Sequence, residues 1–213
     1  MNELRRGYNI RPKMLKLRSL LQYQPIFSLF QKIIAAHRIK LLIASNTELK
    51  PGFRVLDVGC GYGNLLEYLP KNINYLGVDI SQIYIDYAKK RYNSRGRFIC
   101  ADVTKLVLKE EKFDVIFINS LFHHLSDSEV KKLLESLQTF IKKETIIVSA
   151  DPVYLENSSF LARFFASQDR GKYTRKKEGY LNLIKKYFSR IEYKVVSNLL
   201  YMPVDIMFIW VRK

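Results

Sequence analysis

Residues 53–65 constrain the fold more than any other part of this chain. A run suited to a buried parallel strand, Val55 to Val58, contains Asp57 and leads into the sequence Gly-Cys-Gly-Tyr-Gly at positions 59–63. A helical pattern begins directly afterwards. Glycine lacks a Cβ, so a ligand can approach the loop closely, and the free amides of the loop and of the next helix favour an anionic group. This pattern predicts a cradle for a nucleoside-containing ligand.

The residues after the glycine loop narrow the choice of nucleoside. A dinucleotide fingerprint, G-x-G-x-x-G, needs its third glycine where Asn64 stands. A second predicted strand, 74–79, ends at Asp79, about twenty positions after the loop, where a ribose-binding carboxylate is expected. A third predicted strand, 97–100, leads into Asp102. The acidic residues fit a nucleoside site, whereas the glycine spacing differs from the dinucleotide fingerprint.

Four motifs in this order resemble those of class I S-adenosylmethionine-dependent methyltransferases. They are residues 55–63, 77–81 and 101–103, and residues 113–116 followed by Phe122-His123-His124-Leu125. The resemblance covers residues 50–152. It implies an α/β fold, with a doubly wound, mostly parallel seven-stranded sheet and a C-terminal antiparallel hairpin. It also implies S-adenosylmethionine as cofactor and S-adenosylhomocysteine as product.

The resemblance assigns roles to individual residues of the cofactor site. Asp57 would face the methionine end of the cofactor, Asp79 the ribose, and Asp102 with the Val103 backbone the adenine. Loop ordering for Asp57 and helix capping for Asp102 are the structural alternatives. The complete set of expected cofactor-binding residues is Asp57, Gly59, Cys60, Gly61, Gly63, Asp79, Ile80, Asp102, Val103 and Asn119.

Strand and helix patterns alternate along the rest of the chain. They predict a fourth strand at 114–118 and a fifth at 145–149. They also predict helices at 64–69, 82–92, 127–140 and 175–188, with Ser126 as the N-cap of the third.

The candidate catalytic residues follow the fourth and fifth predicted strands. His123 and His124 lie where the reactive methyl is expected, and a histidine can accept the proton of a hydroxyl acceptor near neutral pH. Packing or cofactor contact is the alternative role of either one, and Asp169 is an alternative base. Adjacent histidines without nearby carboxylate or thiolate ligands predict no metal site.

A polar segment after the fifth strand is the candidate acceptor site. Arg170 and Lys172 can bind a carboxylate or phosphate, with Tyr173 beside them. An exposed turn is the alternative interpretation of this segment. The chain lacks the Asn/Asp-Pro-Pro-aromatic sequence of enzymes that methylate exocyclic amines of bases.

The charge of the chain points to an anionic partner or to a compositional bias, and both explanations stay open. The sequence has 36 Lys and Arg against 20 Asp and Glu, a formal net charge of +16. An anionic partner would be nucleic acid, a phospholipid surface or an acidic substrate. The basic residues are concentrated in two segments: Arg5, Arg6, Arg11, Lys13, Lys16 and Arg18, and Arg170, Lys172, Arg175, Lys176, Lys177, Lys185, Lys186 and Arg190.

The cysteines and the apolar segments of the sequence predict the cellular compartment, and its changes of pattern predict the domain boundaries. Two cysteines make no disulfide framework, and we expect both to be reduced in the cytoplasm. No apolar segment is long enough to cross a bilayer, although contact with the inner membrane face is an option. We expect a basic arm and helices in residues 1–48, and a cofactor-binding domain in residues 49–213 with a substrate lid at 153–175.

The sequence therefore predicts an S-adenosylmethionine-dependent methyltransferase. Its acceptor would be a small or carrier-linked anionic molecule, such as a glycan or lipid, methylated at oxygen. An RNA or protein methyltransferase is the first alternative, and a non-catalytic cofactor-binding module is the second. The pattern leaves the acceptor and the oligomeric state open.

Overall fold

The computed structural model describes residues 35–108, 112–156 and 172–212. The helices are α1 (His37–Ser45), α2 (Gln82–Tyr92), α3 (Asp127–Leu137) and α4 (Lys177–Ile184). The strands are β1 (Arg54–Val58), β2 (Asn74–Asp79), β3 (Gly96–Cys100), β4 (Phe113–Asn119), β5 (Ile141–Tyr154), β6 (Arg175–Lys176), β7 (Arg190–Val196) and β8 (Ile206–Arg212). Short 3₁₀ turns occupy Asn64–Tyr68, Val103–Lys105 and Phe122–His124.

One sheet runs through the described part of the chain in the order β3-β2-β1-β4-β5-β8-β7. The first five strands of this path are parallel, and β8 and β7 add an antiparallel pair at one edge. The two-residue strand β6 pairs with the end of β5 beside this path. The predicted fold class and the C-terminal hairpin are confirmed.

Helices cover both faces of the sheet because its central strands are apolar on both sides. On one face, α1 and α2 bury Ile43 and Ile85 against β1, β4 and β5. On the other face, α3 and α4 bury Leu133 and Tyr180. The five parallel strands β1 to β5 end at one edge of the sheet, between two packed layers of helices.

Several predicted boundaries agree with the structure. Helix α2 has the predicted bounds, and Ser126 caps α3 in a capping box with Glu129. Helix α3 ends at Leu137 rather than at the predicted Phe140. The helix predicted at 64–69 is a 3₁₀ turn, and the first two residues of the helix predicted at 175–188 form β6.

Strand β5 is much longer than the predicted 145–149. It pairs with β8 through residues 146–152 and with β6 at Val153 and Tyr154. An irregularity near its start shifts the register between Phe113 and Val115 of β4. The Thr145 hydroxyl fills this irregularity, donating to Phe113 O at 2.6 Å and accepting from Lys142 N at 2.8 Å. Pairing with β8 and β6 extends β5, and this pairing cannot be recognised from the local sequence.

Some predictions fall partly outside the described residues. The basic arm and most of the predicted N-terminal helix lie in residues 1–34, and most of the predicted lid lies in residues 157–171. The proposed division at residues 48 and 49 therefore stays a prediction. None of the helices in the described segments is long and apolar enough to span a membrane.

Arg175 has an internal role, which differs from its predicted place in a basic binding segment. Its side chain is 9% exposed, and the guanidinium donates to the Asp127 carboxylate at 2.7 and 2.9 Å. It also donates to the carbonyls of Phe122 and Leu125, at 2.8 and 2.7 Å. Arg175 therefore ties β6 to the turn that carries His123 and His124.

We expect Arg175→Lys to lower the free energy of unfolding by about 2 kcal/mol, because lysine keeps the charge but loses the planar fork that bonds the Asp127 carboxylate and three backbone carbonyls. Chemical unfolding in urea measures this loss. The matched control is Lys176→Arg at the next, exposed position, which we expect to stay within about 0.5 kcal/mol of wild type. Equal stability of Arg175→Lys and wild type would contradict the internal role.

Candidate active site

Acidic and amide side chains gather at the carboxyl edge of the sheet. Asp57 is the penultimate residue of β1, while Asp79 ends β2 and Asn119 ends β4. Asp102 follows β3, and Asp151 lies near the end of β5. Because parallel strands end at the same edge, residues far apart in sequence lie in one polar region.

The glycine loop crosses this edge between β1 and the first 3₁₀ turn. Gly59, Gly61 and Gly63 all have positive φ angles, of 75°, 54° and 74°. The amides of Gly59 and Cys60 donate to Val78 O at 2.8 and 3.0 Å, which holds the loop against β2. A Cβ at Gly63 would meet the Phe98 ring at 3.0 Å, whereas a Cβ at Gly61 would meet nothing within 4 Å. Gly61 is therefore the loop glycine that faces open space.

The Asp79 carboxylate joins the glycine loop to the start of α2. One oxygen accepts from Gly61 N at 2.8 Å and the other from Ser81 N at 2.9 Å. Burial raises the pKa of Asp79, and the amide hydrogen bonds act in the opposite direction. A buried, oriented carboxylate at this position can accept hydrogen bonds from the two hydroxyls of a ribose.

Asp57 is 2% exposed and lies below the glycine loop. The Tyr75 hydroxyl donates to its Oδ2 at 2.6 Å. Burial raises the pKa of Asp57 to about 7; the Tyr75 hydrogen bond and Lys40 of α1 lower it, while Asp79 raises it further. Burial also lowers the pKa of Lys40, against the attraction of Glu67 and Asp57. The region carries more buried negative than positive charge and suits a cationic ligand group.

The predicted adenine side of the site is less buried. Asp102 caps the second 3₁₀ turn, since its Oδ1 accepts from Thr104 N at 2.9 Å and from Thr104 Oγ1 at 2.7 Å. These hydrogen bonds lower the pKa of Asp102. Val103 is buried, whereas Ile80 is largely exposed. Ile80 therefore offers an apolar surface to a ligand. Asp102 caps a helical turn, which is the structural alternative to its predicted contact with adenine.

Cys60 and Cys100 are both free thiols. Burial raises the pKa of Cys60 well above its ordinary value, and its sulfur packs where a side chain on Gly77 would stand. Cys60 therefore shapes the loop as a neutral thiol. Cys100 is exposed at the end of β3.

Asn119 offers an unused acceptor at the edge. Its Oδ1 is buried and has no hydrogen-bond partner among the described residues. The next residue, Ser120, has a φ of 53°, and its amide donates to Ala150 O at 2.8 Å. A buried oxygen without a donor is costly, so the arrangement suits a ligand that brings an N–H group.

The two candidate histidines have different surroundings. His123 is 2% exposed, and its Nδ1 lies 2.7 Å from Oδ1 of Asp151, itself 1% exposed. The same oxygen accepts from His123 N at 3.1 Å, and Asp151 Oδ2 is buried with no hydrogen-bond partner in the part of the chain that the structure describes. His124 is exposed, with its ring centroid 4.1 Å from that of His123. The carboxylate fixes His123 as the tautomer with hydrogen on Nδ1.

The candidate acceptor residues are only partly described. Lys172 and Tyr173 are exposed, and Tyr173 N donates to His123 O at 3.0 Å. This bond brings the end of the predicted lid beside the histidine turn. Asp169 and Arg170 lie outside the described residues. Among the residues that are described, no group of three or more histidine, cysteine or acidic side chains is arranged to hold a metal ion.

Tyr75 and Asp151 lie in the site although the sequence motifs do not identify them. Asp151 could have been identified, because it is an acidic residue near the carboxyl end of a strand, as Asp57 and Asp79 are. Tyr75 could be identified only from the register of β1 and β2, because it pairs with Val55, two positions before Asp57.

Residues 55–144 match the family described as "Methyltransferase domain". A phosphoethanolamine N-methyltransferase of Triticum aestivum is 36% identical over 99 residues, which are 43% of this chain and 19% of that protein. A cyclopropane-fatty-acyl-phospholipid synthase of Escherichia coli K12 is 31% identical over 121 residues, which are 54% of this chain and 30% of that protein. The chain therefore matches less than a third of the length of either relative.

The fold agrees with this match. An S-adenosylmethionine-dependent methyltransferase of Clostridium acetobutylicum superposes with a TM-score of 0.66 and 18% identity, over 89% of this chain and 98% of that one. The family match includes the glycine loop, Asp79 and the histidine turn. Residues 55–144 therefore match a methyltransferase-domain family, and the fold is that of class I S-adenosylmethionine-dependent methyltransferases.

Proposed function

We propose that this protein binds S-adenosylmethionine and transfers its methyl group to an acceptor. The observation that carries the proposal is the Asp79 carboxylate, held by Gly61 N and Ser81 N beside the open side of the glycine loop. When bound, S-adenosylmethionine supplies a methyl group on a positively charged sulfur, which a nucleophile displaces.

The described residues fit each part of this cofactor. Asp79 would accept from the ribose hydroxyls, and the exposed Ile80 and the buried Val103 would contact the adenine. Asp57 and the Asn119 oxygen would receive the ammonium, since one is a buried carboxylate and the other a buried acceptor without a donor. The main contribution of the protein is then orientation of the two reactants and exclusion of water.

We propose His123 as the base for a hydroxyl acceptor. Asp151 holds hydrogen on Nδ1, so Nε2 is the ring nitrogen with a lone pair. His124 is exposed, whereas His123 is buried and oriented by Asp151, so His123 is the stronger choice. A base at this position favours methylation at oxygen, because a hydroxyl must lose its proton.

The proposed acceptor is a small or carrier-linked anionic molecule. Lys172 and Tyr173 are exposed beside the histidine turn, and a lysine can bind phosphate or carboxylate. The names of both relatives specify phosphate-bearing molecules, phosphoethanolamine and a phospholipid. The internal bonds of Arg175 remove one residue from the basic segment that suggested RNA. We place the reaction in the cytoplasm, where the thiols of Cys60 and Cys100 stay reduced.

We expect Asp79→Asn to weaken binding of S-adenosylhomocysteine by roughly ten- to a hundredfold, because the neutral amide replaces a charged acceptor of the ribose hydroxyls. Titration calorimetry on the purified full chain measures the dissociation constants. The matched control is Asp114→Asn at the opposite edge of the sheet, where the carboxylate likewise accepts from a backbone amide, Arg54 N at 2.8 Å. Equal weakening by both substitutions, or no binding to folded wild type, would contradict the proposal.

We expect ¹⁵N NMR of the imidazoles to show His123 as the Nδ1–H tautomer in the neutral ring, because Asp151 accepts that hydrogen. Asp151→Ala should remove this preference. The exposed His124 serves as the internal reference and should keep its spectrum in the variant. A His123 ring with hydrogen on Nε2 in wild type would exclude it as the proposed base.

A further inference from the structure

Tyr75 reaches Asp57 along the sheet rather than across it. In the parallel register of β1 and β2, Tyr75 lies opposite Val55 and Gly77 lies opposite Asp57. The tyrosine ring therefore extends toward the carboxyl edge before its hydroxyl meets Asp57 Oδ2 at 2.6 Å. Gly96 of β3 leaves the necessary room, since a Cβ there would lie 2.7 Å from Tyr75 Cδ1. The Phe98 ring, 5.6 Å away between centroids, supports the tyrosine from β3.

This bond occupies one oxygen of a carboxylate that is almost completely buried. The Tyr75 hydroxyl bonds to Oδ2 and not to Oδ1. The Tyr75 hydroxyl itself is a permanent donor here, because burial and the neighbouring Asp57 raise its pKa well above the ordinary value. Tyr75 therefore fixes the orientation of the carboxylate and leaves its second oxygen for another donor.

The charges around Asp57 come from several elements. Asp79 of β2 repels it, Lys40 of α1 attracts it, and the neutral thiol of Cys60 lies in the loop above. Glu67 of the first 3₁₀ turn also attracts Lys40. Asp57 and Glu67 thus share the attraction of Lys40, and Glu67 also pairs with Arg91 at 2.8 Å. Burial adds to the tendency of Asp57 and Asp79 to stay protonated. A second cation at Asp57 would relieve this excess of negative charge.

We propose that Tyr75 is a positioning residue that aims Asp57 at the ammonium of the amino-acid end of the cofactor, and that binding of this end depends on pH near neutrality. The inference rests on the proposed function. It adds Tyr75, which is not among the cofactor contacts predicted from the motifs. It also makes the contact of Asp57 with the cofactor dependent on pH.

The direction of the pH dependence follows from linkage. With a pKa of about 7, Asp57 is about half protonated at neutral pH in the free protein. An ammonium beside it favours the ionised form, so binding releases a proton. Affinity therefore rises as the pH increases through 7 and levels off above about 8. For a single group of this pKa, the dissociation constant is about tenfold larger at pH 6 than at pH 8.

The experiment compares two ligands by titration calorimetry at pH 6, 7 and 8. S-adenosylhomocysteine has the amino-acid end, whereas 5′-deoxy-5′-methylthioadenosine keeps the adenosine and the sulfur but lacks that end. We expect about a tenfold pH effect on S-adenosylhomocysteine and little on methylthioadenosine. The second ligand also corrects for titration of Asp79, since both ligands carry the ribose.

Two variants separate positioning from a purely structural role. Tyr75→Phe should weaken S-adenosylhomocysteine about tenfold at pH 7 and move the rise in affinity to higher pH, because the carboxylate loses a donor that stabilises its ionised form. Asp57→Asn should abolish the pH effect. Methylthioadenosine should bind all three proteins alike. The matched control is Tyr180→Phe, which removes a similarly buried hydroxyl bonded to Pro152 O at 2.9 Å on the other face of the sheet.

The outcomes distinguish the two proposals. Methylthioadenosine binding without a pH effect specific to S-adenosylhomocysteine would overturn the inference and leave the proposed function standing. Equal weakening of both ligands by Tyr75→Phe would assign Tyr75 a structural role and also overturn it. No binding of either ligand to folded wild type would overturn both.

Discussion

The hydrogen bonds from the Gly61 and Ser81 amides to the Asp79 carboxylate hold the candidate site together. They join the end of β2 to the glycine loop on one side and to the start of α2 on the other. The loop is also held by its bonds to Val78 O on the β2 backbone and by the packing of Tyr62 on Tyr84 and Tyr87 of α2. The Asp79 carboxylate is at once the organiser of the glycine loop and the proposed partner of the ribose. Binding would therefore exchange or share bonds that already exist, rather than order a loose loop.

The central fold could be predicted because local sequence and tertiary structure agree there. Val55 to Val58 is apolar apart from Asp57 and lies between turn residues, and Ser126 with Glu129 marks the start of α3. Strand β5 could not be predicted in full, because its length depends on pairing with β8 and β6. Likewise, the 3₁₀ turn at Asn64 contains helix-forming residues, and its short length is not apparent from them.

In the candidate site, too, some residues could be predicted from the sequence and others could not. Residues that a motif fixes, such as Asp57 and Asp79, lie at the expected strand ends. The partners that orient them are set by register and by chain crossings: Tyr75 reaches Asp57 from the neighbouring strand, and Asp151 reaches His123 from β5. Arg175 illustrates the limit of charge counting, because a basic residue in a basic segment is bonded almost entirely within the protein. Composition records that a charge exists, whereas only the fold shows what it faces.

The anchoring of residues 172–176 bears on how the proposed acceptor can change. Lys176 pairs with Tyr154 at the end of β5, and Tyr173 N donates to the His123 carbonyl. The described residues on either side of positions 157–171 are thus fixed to the sheet and to the histidine turn. A connection between fixed ends tolerates new lengths and sequences at small cost to the rest of a domain. Under the proposed function, we therefore expect sequence changes at positions 157–171 to alter the acceptor while the geometry of the described strand ends is retained.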